Sequence, residues 1–375
     1  MHVLHTFSNC SSVPYMSWFA KRAHEQGSPR YSFILMHHER PRMIDEMEAY
    51  GFKCIWIKYS DQHRKLGILK ALPLLWWHIL RLRPDVVHSH LFDDSLPAMI
   101  AAWAARVKVR AVTKQWTGIH WLQAPQWVWT DKLINRLGTH LIAVSGECGR
   151  FMVEQEGARP EKIHLVHHGI DPGDETRVDA GTVDQLRRRF RTEGRFPVIG
   201  TVARMIEWKG HRPIVDAAQA VVQRHPQALF LFCGKGELEQ DVRNYVEEKG
   251  LTGHILFTGP IPRPDMPSFY SLLDIYLHAA QLEPFGFVYP EAMMNAIPVV
   301  TTPTGAAGDA IQDGESGILV ERNGPAIAAG IERALQADRK AMGQAGKEAA
   351  LLMFRFDNMW NGTMEVYRKA LGNDR

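Results

Sequence analysis

Two carboxylates, Glu283 and Glu291, stand eight positions apart in the run Glu283-Pro-Phe285-Gly286-Phe287-Val288-Tyr-Pro-Glu291. A carboxylate on a loop can accept hydrogen bonds from sugar hydroxyls. One in the first turn of the helix-like run that follows, Glu-Ala-Met-Met-Asn-Ala, can hold a ribose while the unpaired N–H groups of that turn meet a phosphate. Gly286 between them lets the backbone approach a ligand closely. The plainer reading is two solvated loop acids.

Upstream, Arg204 and Lys209 lie five positions apart in Gly200-Thr-Val-Ala-Arg204-Met-Ile-Glu-Trp-Lys209-Gly210. The segment follows a strand-like run and precedes a helix-like one. The carboxyl end of a strand is where open α/β sheets bind ligands. A guanidinium fork and an ammonium point charge can flank a diphosphate there; the alternative is a pair of solvated cations. The next turn, Gly234-Lys235-Gly236, begins like a dinucleotide fingerprint, but Glu239 occupies the place of its third glycine. It therefore reads as a strand-to-helix turn beside the ligand, and a nicotinamide-dependent oxidoreductase is disfavoured.

The first half offers softer signals. Asn9 lies in a small polar loop, Phe7-Ser-Asn9-Cys-Ser-Ser12, after the first strand-like run. His88 and His90 close another strand, and alternation turns His90 toward the site. His120 follows Thr113-Lys-Gln115-Trp116; it can polarise an acceptor, contact a sugar, or simply pack. Nine of the eleven tryptophans precede residue 150, among them Trp116, Trp121, Trp127 and Trp129 near His120. Trp76 and Trp77 sit in the basic, leucine-rich stretch 66–83. That stretch suits a membrane-surface helix, sugar stacking or core packing, and it falls short of a membrane span.

These residues need a frame to position them. Short Val/Ile/Leu-rich runs alternate with amphipathic stretches from Met1–Leu4 to Ile163–His167. The alternation breaks between Gly169 and Phe196, then restarts at Val198–Ala203 and continues to Pro298–Thr301. Such alternation predicts α/β architecture, with parallel strands covered by helices, in two doubly wound halves facing a central cleft. The break reads as a linker followed by a basic entry helix over Gln185–Arg191.

Composition narrows the function further. With 44 Lys and Arg against 41 Asp and Glu, the net charge is +3. That excludes a basic nucleic-acid coat protein, and no nucleic-acid partner is expected. The four cysteines are isolated, with no CxxC spacing and no Cys/His cluster, so neither a disulfide framework nor a zinc site is expected. No signal-peptide layout opens the chain, which points to the cytoplasm.

Taken together, Arg204…Lys209-Gly210, Glu283-x7-Glu291 and Pro298-Val-Val-Thr-Thr…Gly305…Asp313-Gly314…Gly317-Ile-Leu-Val320 resemble the retaining glycosyltransferases of family 4, which have the GT-B fold. Asp85-Val-Val-His-Ser-His90, Ile142-Ala-Val-Ser145 and Lys162-Ile-His-Leu-Val-His-His-Gly169-Ile-Asp171 stand in the family's order. The resemblance implies an acceptor-binding domain over 1–170 and a nucleotide-sugar donor domain over 171–355. A terminal helix over 356–375 would cross back to the first. It implies sugar transfer from a UDP- or GDP-sugar to an acceptor hydroxyl with retention, in glycan or glycolipid assembly.

By the family pattern Arg204 and Lys209 neutralise the diphosphate, Glu283 holds sugar hydroxyls, and Glu291 holds the ribose. Phe285, Gly286, Phe287 and Val288 contact sugar and phosphate through their backbone, with Gly234 beside them. His120 is expected to join Arg204, Lys209 and Glu283 in catalysis, and Asn9 and His90 are expected on the acceptor side. No cofactor beyond the nucleotide sugar and no metal is expected, since no DxD pair stands at the donor loop. The acceptor would be a glycan or lipid-linked, with peripheral contact at the inner face of the cytoplasmic membrane. A hydrolase or epimerase of the same fold, or a non-catalytic nucleotide-sugar-binding subunit, is the alternative.

Overall fold

The structure is a computed structural model that describes residues 1–115, 118, 120–121 and 124–372. Trp116, named above in the tryptophan cluster, lies outside the described residues. The chain forms two compact units, Met1–Gly169 with Phe356–Arg375, and Ile170–Arg355.

The first unit is built on seven parallel strands: β1 (His2–Ser8), β2 (Arg30–His37), β3 (Lys53–Lys58), β4 (Val86–Ser89), β5 (Val109–Lys114), β6 (His140–Ala143) and β7 (Ile163–Leu165). They are ordered β3-β2-β1-β4-β5-β6-β7. The connecting helices are α1 (Pro14–Gln26), α2 (Arg42–Glu48), α3 (Arg64–Leu82), α4 (Phe92–Ala104), α5 (Val128–Leu137) and α6 (Gly146–Glu154). β1 is buried at every position, so the first apolar run extends past Leu4 to Ser8. A strand with neighbours on both sides and helices on both faces has no exposed position to end it.

The second unit holds six parallel strands: β8 (Val198–Val202), β9 (Leu229–Cys233), β10 (Ile255–Gly259), β11 (Ile275–His278), β12 (Val299–Thr301) and β13 (Ile318–Leu319). Their order is β10-β9-β8-β11-β12-β13. The entry helix, α7 (Ala180–Phe190), begins five residues earlier than its basic run because the Asp179 carboxylate accepts from Thr182 N and caps it. The other long helices are α8 (His211–Arg224), α9 (Glu239–Glu248), α10 (Val288–Met294), α11 (Gly324–Gln336) and α12 (Arg339–Met353). Ile199, Phe230, Phe232, Ile275, Leu277 and Val300 from the strands meet Ile214, Ala218, Val221, Ile327 and Ile331 from the helices in one core.

The last helix, α13 (Phe356–Leu371), belongs to the first unit. Phe356 and Trp360 pack on Phe19 of α1, Arg22 pairs with Asp357 at 2.7 Å, and the Tyr367 hydroxyl meets His88 Nδ1 at 2.5 Å. In both sheets strand order reverses beside the first strand, between β1 and β4 and between β8 and β11. At such a point neighbouring loops diverge and leave a crevice at the strands' carboxyl ends.

Candidate functional site

In the second unit, the loops that leave β8, β9, β10 and β11 surround a cavity of about 430 Å³. Arg204 and Lys209 enter from the loop after β8, Gly234 and Lys235 from that after β9, and Glu283, Gly286, Phe287 and Val288 from that after β11. β8 pairs with both β9 and β11, which sets these three loops side by side. Three cations and one carboxylate therefore line the cavity, a surplus of 3 − 1 = 2 positive charges.

The carboxylate is held. Lys209 Nζ donates to Glu283 Oε2, and the two side chains are 15% and 11% exposed. His278, at the end of β11 and wholly buried, sets Nε2 3.6 Å from the same oxygen, beyond a full hydrogen bond but within reach of its charge. Burial opposes ionisation of Glu283, yet His278 and Lys209 outweigh it and hold its carboxyl below the ordinary value. The His278 imidazole is lowered, first by burial. Lys209 and Glu283, expected to grip different parts of a donor, thus form one largely buried ion pair.

Glycines shape the loops, chiefly for contact with other loops. A Cβ on Gly234 would fall 2.1 Å from Ala203 O, and one on Gly236 2.3 Å from Met205 O. The Gly-Lys-Gly turn therefore packs against the loop after β8, while Met205 N donates to Lys235 O at 3.3 Å. At Gly286, with φ +77°, a Cβ would lie 2.7 Å from Glu283 Cγ and 2.5 Å from the Tyr289 ring. The missing side chain makes room for the stem of Glu283 itself.

Two expected donor residues sit apart from the cavity wall. Phe285 is buried, packs edge-on to Phe287 and Phe354, and its carbonyl accepts from Ala306 N at 2.8 Å. Glu291 does lie in the first turn of α10, but its carboxylate accepts from Tyr270 Oη at 3.0 Å and is not among the cavity-lining groups. Conversely, Lys235 and His278 line the cavity without having been singled out. Lys235 was visible inside the Gly-Lys-Gly turn; His278 carried no local signal beyond ending an apolar run.

The residues expected on the acceptor side all lie in the first unit. Asn9, in a left-handed conformation (φ 52°), donates from Nδ2 to Asp93 Oδ2 at 2.8 Å. Asp93 pairs with Arg64 at 2.5 Å, and Arg64 lies over the rings of Phe92 and Trp127. Phe92 meets the ring of His120 edge-on, so the start of α4 links Asn9 with His120. His120 is 2% exposed; its Nδ1–H donates to Asp131 Oδ2 at 2.7 Å, and Nε2 has no hydrogen-bond partner among the described residues. Behind it, fully buried Lys114 pairs with Asp131 at 3.1 Å and Glu156 at 2.8 Å. Burial lowers the lysine, but the two carboxylates more than offset it and raise it overall.

His90 is buried, stacks on Phe7 at 4.4 Å, and lines a small cavity of about 10 Å³ with His5, Tyr15 and His168. It joins His5 and His88, whose ligand atoms and its own lie within 4.8 Å of one another. The sequence showed no histidine cluster because His5 and His88, paired across β1 and β4, are 83 residues apart. Three ring nitrogens at that spacing are a donor set a metal ion could use. Here, however, His88 is engaged by Thr113 Oγ1 at 2.7 Å and by Tyr367, and His5 Nδ1 meets His90 Nε2 at 2.8 Å. Burial lowers all three imidazoles, His88 to about 3, so they stay neutral.

Residues 183–349 match the family model of the glycosyl transferases group 1, and residues 20–174 match that of Glycosyltransferase Family 4. Residues 183–349 thus belong to the glycosyl transferases group 1, in a chain of GT-B fold. It is 30% identical over 241 residues to a D-inositol 3-phosphate glycosyltransferase of Acidothermus cellulolyticus, covering 60% of this chain and 52% of that one. A GDP-mannose-dependent alpha-(1-6)-phosphatidylinositol monomannoside mannosyltransferase of Mycobacterium tuberculosis is 27% identical, covering 51% and 52%. The chain thus spans about half the length of these relatives. A 2-deoxystreptamine glucosyltransferase of Streptomyces kanamyceticus is 26% identical over 78% of this chain and 79% of its own. Among solved structures, Anabaena HepE in complex with UDP shares the fold, with a TM-score of 0.80 at 18% identity over 98% of this chain and 100% of that one. A glycosyltransferase from Rickettsia africae gives 0.81 at 19% identity over 100% and 99%.

Proposed function

We propose that this chain transfers a sugar from a UDP- or GDP-sugar to a hydroxyl of a glycan or lipid-linked acceptor, with retention at the anomeric carbon, in cytoplasmic glycan or glycolipid assembly. The observation that carries the reading is the cavity at the carboxyl ends of β8 to β11, where Arg204, Lys209 and Lys235 face one carboxylate, Glu283. A diphosphate would meet the surplus positive charge. It would also draw Lys209 from Glu283, freeing that carboxylate to accept from sugar hydroxyls.

In the reaction the bond from the anomeric carbon to the diphosphate oxygen breaks, and a bond from the acceptor oxygen to the same carbon forms on the same face. The acceptor proton passes to the departing phosphate. Negative charge grows on that phosphate as the bond breaks, and fixed cations stabilise it most at that moment; the reading requires no metal. His120, oriented by Asp131 and with Nε2 unpartnered among the described residues, is the acceptor-side residue of the proposal.

The test has two parts. Titration with UDP, GDP and ADP should show one nucleoside diphosphate raising the melting temperature, because a ligand at a hundred times its Kd stabilises by about 2.7 kcal/mol. Lys209→Ala should then lower turnover by about 10²-fold, with a smaller change in donor affinity. Absence of a shift with every nucleotide, or unchanged turnover in Lys209→Ala, refutes the reading.

A further inference from the structure

Helix α3 has an apolar stripe on each side. The inner one, Ala71, Leu75 and Ile79 at four-residue spacing, is buried. The opposite face of such a helix is ordinarily polar. Here it carries Leu66, Leu69, Trp76, Trp77 and Leu80, each between 43% and 67% exposed. At about 100° per residue, Leu66, Leu69, Pro73, Trp77 and Leu80 fall within an arc of about 80°. Trp76 and then Lys65 border one edge of that arc, and Lys70 and Arg81 the other. The helix contains no Asp or Glu.

We propose that this stripe seats the first unit on an anionic lipid surface, with α3 lying in the plane of the interface. Leucine and tryptophan side chains would enter the boundary between headgroups and acyl chains, and Lys65, Lys70 and Arg81 would meet lipid phosphates. The helix would lie on the bilayer: among the described residues no helix is long and apolar enough to cross one. A second copy of the chain fits less well. A two-fold contact through this face sets the same three cations against one another with no acid on α3 to offset them.

The inference does not depend on the donor reading, and its test contains no nucleotide sugar. The whole chain is floated with vesicles of phosphatidylcholine alone and of phosphatidylcholine with an equal part of phosphatidylglycerol. Wild type should float with the anionic vesicles and at least about 10-fold less with the neutral ones. Leu69→Glu with Trp77→Glu should lower anionic binding at least about 10-fold, because acids on the inserted stripe oppose both burial and charge attraction. Both positions are exposed, so the circular dichroism spectrum and melting temperature should stay at wild-type values. Lys65→Gln, Lys70→Gln and Arg81→Gln together should weaken binding and flatten its dependence on salt. The inference falls if wild type does not float with anionic vesicles or if the double glutamate variant floats equally well. It also falls if sedimentation shows a dimer that Trp77→Glu dissociates while vesicles remain unbound.

Discussion

The Lys209–Glu283 pair lends itself to a double-mutant cycle. Its side chains are 15% and 11% exposed, so the pair lies between the surface regime, worth at most about 1 kcal/mol, and the fully buried one, where removing one partner costs about 3–5 kcal/mol. An intermediate cost of about 2 kcal/mol is expected for Lys209→Met, which removes the ammonium paired with Glu283, and about the same for Glu283→Gln. In a unit of this size, each kcal/mol moves the melting temperature about 2–4 °C, so each single variant should melt about 4–8 °C lower. The double variant removes both charges and should cost well under the sum, a coupling of about 1–3 kcal/mol. The assay is urea unfolding of all four proteins at neutral pH, followed by circular dichroism. The pair also sets a pH window: because the folded carboxyl is held below its ordinary value, its stabilisation is present above that value. It is lost as pH falls through the lowered one. Strict additivity of the two single variants would refute the coupling, and with it the idea that a diphosphate must compete with Glu283 for Lys209.

Two other predictions concern the frame and the first unit. Gly210, at φ +77°, would place a Cβ 1.9 Å from Ala279 O, so Gly210→Ala should destabilise by about 2 kcal/mol or more and weaken nucleotide binding through the adjoining Lys209. Gly250→Ala, at φ +68° with nothing within 4 Å, should cost only about 1 kcal/mol and leave binding unchanged; equal losses in urea unfolding would contradict the steric account. Asp94 is wholly buried, and burial pushes its carboxyl up to about 7 against donors from Thr6, Ser8, His90 N and Leu91 N. The unfolded chain ionises this group near 4 while the folded chain retains the proton, so its contribution favours folding less as pH rises from about 4 to 7. Melting temperatures across that range should fall more steeply for wild type than for Asp94→Asn; parallel profiles would contradict the assignment.

Much of this protein could be read before any coordinate. The apolar runs at Val198–Ala203 and Pro298–Thr301 became β8 and β12 with shifts of one residue at most, because a strand buried on both faces needs apolar side chains at successive positions. Arg204, Lys209, Gly234, Glu283, Gly286, Phe287 and Val288 converge on one cavity because each lies just beyond such a strand. The local pattern was less informative where function depends on partners remote in sequence. Glu291 stands in the expected helix turn, yet its carboxylate meets Tyr270; Phe285 is committed to packing; and His90, turned inward, stacks on Phe7.

The order of residue types along the chain determined two parallel-sheet units, the loops that carry charge and the glycine turns between them, since propensity and periodicity act over a few neighbouring residues. Folding decided which charges meet. Lys209 and Glu283 are 74 residues apart and become partners because β8 and β11 are adjacent in the sheet. It likewise decided that one stripe of α3 is inside and the other outside. Both stripes are apolar, so periodicity cannot rank them, and only the packing of α3 on its own unit leaves Trp76 and Trp77 facing solvent.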